Sequence, residues 1–445
     1  MPLLTRRTLL QALLAQAIPS GTADAPAVVH RAPRPLAPEA VTHDWTAFLG
    51  PSHNAVSTET PLRWFLPPPL VWEWPTGNGY ASPAIAGDRL LFIHRLGDEE
   101  VVECRHAETG ASHWRFRYPT AFEDLYGYNN GPRASPVIDG DRVFTVGAEG
   151  KLHCLDLETG EVVWRQDFWV KYGITKEPYG TASTPLVEGD RLVVNVGGPG
   201  ACVVGLDAAT GREAWRAGSW GPSYASAVSA TVHGQRRVFV FAGGLSNPPT
   251  GGLLSIDPAT GAVDFTVSHR SHEYLSASAS SPVVFGNRVF ISASQRAGGV
   301  IVEIRPDFTH RVVWTTEEFG LFFNTPIHRD GYLYGFDGEG QGTRHSPAST
   351  SPPERSSGVR PGRGSRRFCS MGARGSWAWA PLGGRCSWST GGSSASASLV
   401  TCSGLISHRR ATRRRRARGS LGRGNRGPCR CSAGACSTSG RTRGT

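Results

Sequence analysis

Nowhere in this chain of 445 residues does an apolar run approach the ~20 residues that a membrane-spanning helix needs, which excludes a helical span. Cysteine is scarce where a fold could use it. Cys104, Cys154 and Cys202 are too widely spread for a disulfide framework and read as buried free thiols just ahead of strand-end turns. The others, Cys369, Cys386, Cys402, Cys429, Cys431 and Cys436, all fall in the last hundred residues. No two cysteines are adjacent, and none lies near the N-terminus, where it could carry a lipid. No Gly-x-Ser-x-Gly or phosphate loop stands in a strand-to-helix context, and heptad or helix-period stretches of useful length are missing. His153, His233, His269, His272 and His328 lack ligand spacing and read as surface or turn residues rather than bases.

Acid is missing from one region. The chain carries a formal +11, but from Arg344 onward there are 20 arginines, no lysine and one acid, Glu354, so that stretch carries +19 and the preceding residues −8. The basic average therefore says nothing about the body of the protein. Residues 341–445 turn to Arg, Ser, Gly, Pro and Ala without strand periodicity, and read as a disordered tail with the composition of an out-of-frame translation. A basic arm for nucleic acid, through Arg409, Arg410 and the run 413–416, is the secondary reading. Cys429, Cys431 and Cys436 fit no common zinc spacing. At the other end, Arg6-Arg7, a short apolar run broken by Gln11, and Ala23-Asp24-Ala25 have the pattern of a twin-arginine export signal over residues 1–25. A Pro/Ala-rich linker follows over 26–44. Together these place the chain in a bacterial periplasm or outside the cell, as a monomer.

What the sequence does have is a repeat. Ala81-Ser82-Pro83, Ala134-Ser135-Pro136, Ser183-Thr184-Pro185, Ser280-Ser281-Pro282 and Asn324-Thr325-Pro326 each open a short strand. Each strand runs into a Gly-Asp, Gly-Asn or Asp-Gly hairpin turn and a second strand. A degenerate copy starts at Ala225. Downstream recur Ala107-Glu-Thr109-Gly110 to Trp114, Asp156-Leu-Glu-Thr159-Gly160 to Trp164, Asp207-Ala-Ala-Thr210-Gly211 to Trp215, and Asp257-Pro-Ala-Thr260-Gly261 to Phe265. The Asp accepts from the turn backbone, the Gly supplies positive φ, and a fourth strand begins near the aromatic. The prolines are spaced by 53, 49, 97 and 44 residues, the 97 covering two units. Four short antiparallel strands in each unit of this length specify an all-β fold, a β-propeller with about six recognisable blades over residues 45–340 and seven or eight if the ring were complete.

These linked motifs resemble the PQQ-like β-propeller repeat family, whose blade signature is Asp-x-x-Thr-Gly-x-x-x-Trp after an Ala/Ser-Ser/Thr-Pro strand start. The segment from Trp45 through Gly50-Pro51 and Asn54 to Ser57 resembles the lead-in of exported members, which commonly closes the ring against the last blade. The resemblance implies that Trp114, Trp164, Trp215 and Trp314 pack between neighbouring blades. Quinoprotein dehydrogenases resemble the chain in their repeats, but their site needs an acid acting as base, a calcium and often an adjacent cysteine pair. PQQ with calcium is therefore not supported, and catalytic residues and a metal site are expected to be absent. The remaining candidate site is the axial mouth, where Tyr80, Arg133, Tyr179, Tyr224 and Asn324 precede the innermost strands, with Tyr126 and Tyr128 in the preceding loop. These residues either bind a small polar or peptide ligand or pack loops together. The resulting expectation is a noncatalytic scaffold for a protein or small ligand, similar in architecture to the propeller of the outer-membrane assembly machinery. The alternatives are a PQQ-dependent alcohol or sugar oxidoreductase and a nucleic-acid binder acting through the tail.

Overall fold

Turn chemistry sets the element lengths. The computed structural model describes residues 26–36, 38–59, 69–174, 178–243, 250–273, 278–317, 319–335 and 349–350, and almost all regular structure in it is strand. A two-stranded ladder pairs β1 (Val28–Val29) with β2 (Trp72–Glu73), so part of the segment expected as linker is a strand. Five four-stranded antiparallel sheets follow, each ordered as in sequence. The first holds β3 (Ala84–Ala86), β4 (Arg89–Leu96), β5 (Glu99–His106) and β6 (Ser112–Pro119). The second holds β7 (Val137–Asp139), β8 (Arg142–Val146), β9 (Lys151–Asp156) and β10 (Val162–Asp167). After a five-residue helix, α1 (Phe168–Tyr172), the third holds β11 (Leu186–Glu188), β12 (Arg191–Gly198), β13 (Ala201–Asp207) and β14 (Glu213–Ala217). The fourth holds β15 (Val228–Val232), β16 (Gln235–Ala242), β17 (Gly252–Ile256) and β18 (Val263–Ser268). The fifth holds β19 (Val283–Phe285), β20 (Arg288–Ala293), β21 (Gly298–Ile304) and β22 (His310–Thr316). A sixth, three-stranded sheet holds β23 (Ile327–Arg329), β24 (Tyr332–Tyr334) and β25 (Ser349–Thr350), the last beyond the residue-340 boundary read from the sequence. These are the blades of a β-propeller.

A blade is apolar on both faces, so it needs a neighbour on each side. The second blade shows the consequence: Val143 and Leu155 pack with Leu91, Ile93 and Val102 of the first, while Phe144, Val146 and Leu152 pack with Leu192, Val194 and Val204 of the third. Directional contacts at two radii set the spacing. Near the axis, the Ser82 N–H donates to Ser135 Oγ at 2.9 Å, Ser135 N–H to Thr184 Oγ1 at 3.1 Å, and Thr184 N–H to Ser226 Oγ at 3.0 Å. Ser226 N–H donates to Ser281 Oγ at 3.1 Å and Ser281 N–H to Thr325 Oγ1 at 3.0 Å. The hydroxyl residue of the strand-start motif thus links six successive blades, including the degenerate fourth, where Ser226 is kept although the proline is replaced by Ala227.

At the rim the repeated tryptophans do the same work. Trp114 Nε1 donates to Leu157 O at 2.9 Å, Trp164 Nε1 to Ala208 O at 3.0 Å and Trp215 Nε1 to Pro258 O at 2.9 Å. Each acceptor is the residue after the Asp of the next blade's turn. The turn glycine lies flat on the indole: a Cβ at Gly160, φ +75°, would stand 2.5 Å from Trp114 Cδ2, so only glycine fits there. In all five complete blades the fourth strand has one extra residue just before the aromatic, at His113, Val163, Ala214, Asp264 and Val313. Such a bulge re-aims the following side chain, here towards the next blade. Where the aromatic is Phe265, which has no N–H to give, the next turn no longer follows Asp-x-x-Thr-Gly and His310 stacks on the ring at 4.5 Å. Trp314 packs with Phe290 and the fifth-blade core.

Trp72 was missed by the sequence reading. Its Nε1 donates to Ala107 O at 3.1 Å and Gly110 lies against its ring, so β2 occupies the place of a fourth strand preceding the first blade. Trp74 covers the same face, with Arg105 Cζ 3.9 Å from its ring centre and Arg105, Arg115 and His94 gathered on buried Glu103.

The lead-in does not sit where expected. Instead of meeting the last blade, it runs along the innermost strands of the first two. Trp45 and Ile85 exchange backbone hydrogen bonds at 2.9 and 2.8 Å, and Ile138 N–H donates to Thr46 O at 2.9 Å. Leu49 then joins the core between the fourth and fifth blades. Innermost strands have an unpaired edge facing the axis, and this segment satisfies part of it. The three body cysteines are buried free thiols, as expected, with burial pushing Cys104 up to about 11 and Cys154 and Cys202 to about 12. Cys104 and Cys154 sit opposite the rim tryptophans in register, whereas Cys202 begins its strand rather than ending it.

Urea unfolding tests the rim contact. Trp164→Ala removes a packed ring and should cost about 3–5 kcal/mol, whereas Trp164→Phe keeps most of the packing and should cost about 1 kcal/mol for the lost hydrogen bond. An unchanged stability in Trp164→Phe would contradict a separate contribution from the indole N–H.

Candidate functional site

The loops that enter the innermost strands of the first four blades bring the sequence candidates together. Tyr128, Tyr126, Tyr179 and Tyr224 form a row of rings with centroid steps of 6.1, 5.4 and 5.3 Å. Arg133 lies beside it, its Cζ 5.5 Å from the Tyr80 ring and 5.7 Å from the Phe122 ring. Tyr80, Tyr126 and Tyr128 are 59%, 40% and 70% exposed, and Leu125 beside them is 67% exposed. Asn324 occupies the equivalent position before the sixth blade, next to exposed Phe323.

The longest of these loops, over residues 120–136, is held by its own polar side chains. Asp124, buried, accepts from the Tyr126 N–H at 2.8 Å and forms an ion pair with Arg133. Asn130 Oδ1 accepts from the Asp124 N–H at 2.9 Å, and Asn129 Oδ1 from the Gly131 N–H at 2.8 Å. Arg133 also donates to Asn129 O at 2.9 Å and Gly131 O at 3.1 Å. Gly131 has no room for a Cβ, which would fall 2.1 Å from Asn78 O, and Tyr80 N–H donates to Pro132 O at 2.8 Å, fixing the first-blade loop against it. Burial lowers the Arg133 guanidinium while Asp124 opposes that shift, so the arginine stays charged and balanced by its carboxylate. Asp124, Asn129 and Asn130 were not singled out in the sequence. Their clustering around Tyr126 and Tyr128 was the available signal.

The carboxylate at the mouth is engaged, and among the described residues no group of three or more His, Cys, Asp or Glu could hold a metal ion. The body cysteines are single and buried. An axial cavity of about 330 Å³ lies elsewhere, between the lead-in (Thr46, Leu49, His53) and inner-strand residues including Asp139, Thr184 and Ser226. Thr184 and Ser226 already accept blade-to-blade hydrogen bonds, and the lining mixes aliphatic side chains such as Val137, Ile138 and Leu186 with these polar ones. The export signal, the tail apart from Ser349–Thr350, and the tail arginines and cysteines lie outside the described residues.

Three of the histidines depart from the surface reading. His269 packs by Phe241 and His328 stacks on Phe285 at 4.3 Å, while His233 and His272 are exposed. His153 is buried between Phe116 and Tyr118, at 4.9 and 4.3 Å, and the buried Glu100 accepts from the Ala148 N–H at 2.8 Å. Burial, with Arg165 and Lys151, pushes His153 down to about 4, whereas burial pushes Glu100 up. A lowered histidine is neutral in the folded chain, so below pH 6.5 the unfolded state takes up the proton first and stability falls until about pH 4. Glu100 works in the opposite sense, so the comparison needs a variant. Relative to His153→Gln, the wild type should lose about 1.4 kcal/mol per pH unit between pH 6 and 4.5. Parallel urea midpoints across that range would contradict the buried neutral imidazole.

Residues 97–351 match the family model described as outer membrane protein assembly factor BamB. No curated protein sequence matches the chain. Among solved structures, BamB from Moraxella catarrhalis is 19% identical, with a TM-score of 0.39 over 58% of this chain and 66% of that one. A europium-containing methanol dehydrogenase is 11% identical, with a TM-score of 0.40 over 57% and 64%. The quinohemoprotein alcohol dehydrogenase from Comamonas testosteroni is 15% identical, with a TM-score of 0.37 over 58% and 41%. The match spans less than two thirds of each of these structures.

Proposed function

Because the chain belongs to the family described as outer membrane protein assembly factor BamB, we propose that it is a noncatalytic binding scaffold of the bacterial periplasm whose ligand face is the tyrosine cluster at the axial mouth. One observation carries this reading. The rings of Tyr80, Tyr126 and Tyr128 stand exposed, while Asp124, Asn129, Asn130 and Arg133 are engaged in holding the loop. A site in which the polar groups serve as frame and the aromatic faces are left open suits binding rather than chemistry, because Asp124 is paired with Arg133 in the frame. Exposed tyrosines supply large contact area at low entropic cost. The expected ligand is a segment of a partner protein or a small polar molecule. A periplasmic site follows from the export pattern at residues 1–25; no helix among the described residues is long and apolar enough to cross a membrane.

The alternative readings are a PQQ-dependent oxidoreductase and a nucleic-acid role that would rest on the tail. Titration of the purified chain with PQQ and calcium separates the first of these from the scaffold. The expected result is no saturable shift of the quinone absorption band and no alcohol-dependent dye reduction. A one-to-one complex that oxidises an alcohol would overturn the scaffold reading.

A further inference from the structure

Resting on that reading of the mouth, we propose that its ligand is a proline-rich polypeptide segment in the polyproline II conformation, laid along the row Tyr128, Tyr126, Tyr179 and Tyr224. The argument begins with shape. The row is open and built from three different loops, and its centroid steps give it a length of at most roughly 17 Å. At 3.1 Å per residue this accommodates about five residues of polyproline II. Such a segment has apolar ring faces to set against aromatic rings, and backbone carbonyls that make no internal hydrogen bonds.

The donors needed for those carbonyls are present. Among the described residues the hydroxyls of Tyr80, Tyr126, Tyr128 and Tyr179 have no protein hydrogen-bond partner. Charge points the same way. The Arg133 guanidinium beside the row is matched by Asp124 inside the frame, so it is not left over for an acidic partner. An oligosaccharide would also stack on aromatic rings, but its many hydroxyls call for planar polar side chains such as Asp, Asn and Arg. Here Asp124 and Arg133 are paired with each other, and Asn129 and Asn130 spend their Oδ1 atoms on the loop backbone. A polyproline segment asks for ring faces and a few donors, which is what remains.

The test uses the full chain and three probes by titration calorimetry: acetylated decaproline amide, a Gly-Ser peptide of the same length, and maltoheptaose. Decaproline should bind once per chain, with an affinity that changes less than about twofold between 50 and 500 mM NaCl because no net charge is involved. Tyr179→Ala, in the middle of the row, should weaken it about tenfold or more, and Tyr179→Phe by only a few fold. Tyr128→Ala alters an exposed side chain that the fold does not need, and should weaken binding about threefold to tenfold with an unchanged circular dichroism spectrum and unfolding midpoint. Absence of decaproline binding, equal binding of the Gly-Ser peptide, binding of maltoheptaose in its place, or decaproline binding indifferent to both alanine variants would each overturn the proposal. These outcomes leave the scaffold reading intact, since that reading fails only in the quinone titration.

Discussion

Everything in this molecule depends on contacts between consecutive blades, because a blade by itself cannot bury either of its faces. The packing of aliphatic side chains supplies most of the free energy, yet it is non-directional and would allow neighbours to slide. Two directional contacts remove that freedom. A backbone N–H meets a Ser or Thr hydroxyl near the axis, from Ser82 through to Thr325, and an indole N–H meets a turn carbonyl at the rim, from Trp72 through to Trp215. Each hydrogen bond contributes about 1 kcal/mol. Their importance lies in position, since two contacts at different radii fix the spacing and tilt of one sheet against the next.

The blade count, the strand number per blade and the rim role of the tryptophans were legible in the sequence, because they follow from motifs that recur in register. Other features were not. The hydroxyl residue before each proline was visible as a repeat, but its partner lies one blade away, and nothing local says that its oxygen will accept from a neighbour. The bulge before each aromatic is a matter of register between strands, which spacing alone does not reveal. Trp72 escaped notice because its strand belongs to no complete repeat, and the lead-in was misplaced because its partners, Ile85 and Ile138, are chosen by an exposed inner edge rather than by a motif.

At the mouth the balance was similar. Tyr80, Arg133, Tyr179 and Tyr224 could be selected from their positions before the innermost strands, and the structure gathers them with Tyr126 and Tyr128. Asn324 holds the equivalent place before the sixth blade. The loop frame around Asp124 was invisible because it depends on side chain to backbone hydrogen bonds within a non-repeating insertion. That frame gives the site its character: it uses the local charge and amide groups to hold the loop, and leaves aromatic faces as the open surface.

The central claim is that the axial hydroxyl contacts are structural bonds of the folded ring. Native-state hydrogen exchange tests it at the amides of Ser82, Ser135, Thr184, Ser226 and Ser281, all of which lie just outside regular strand pairing. The account predicts protection comparable to the central strands β8, β12 and β16, because opening these amides requires neighbouring blades to part. Exchange as fast as that of the exposed loop amides would mean that side-chain packing and the rim contacts hold the blades without the axial hydroxyls, and would contradict it.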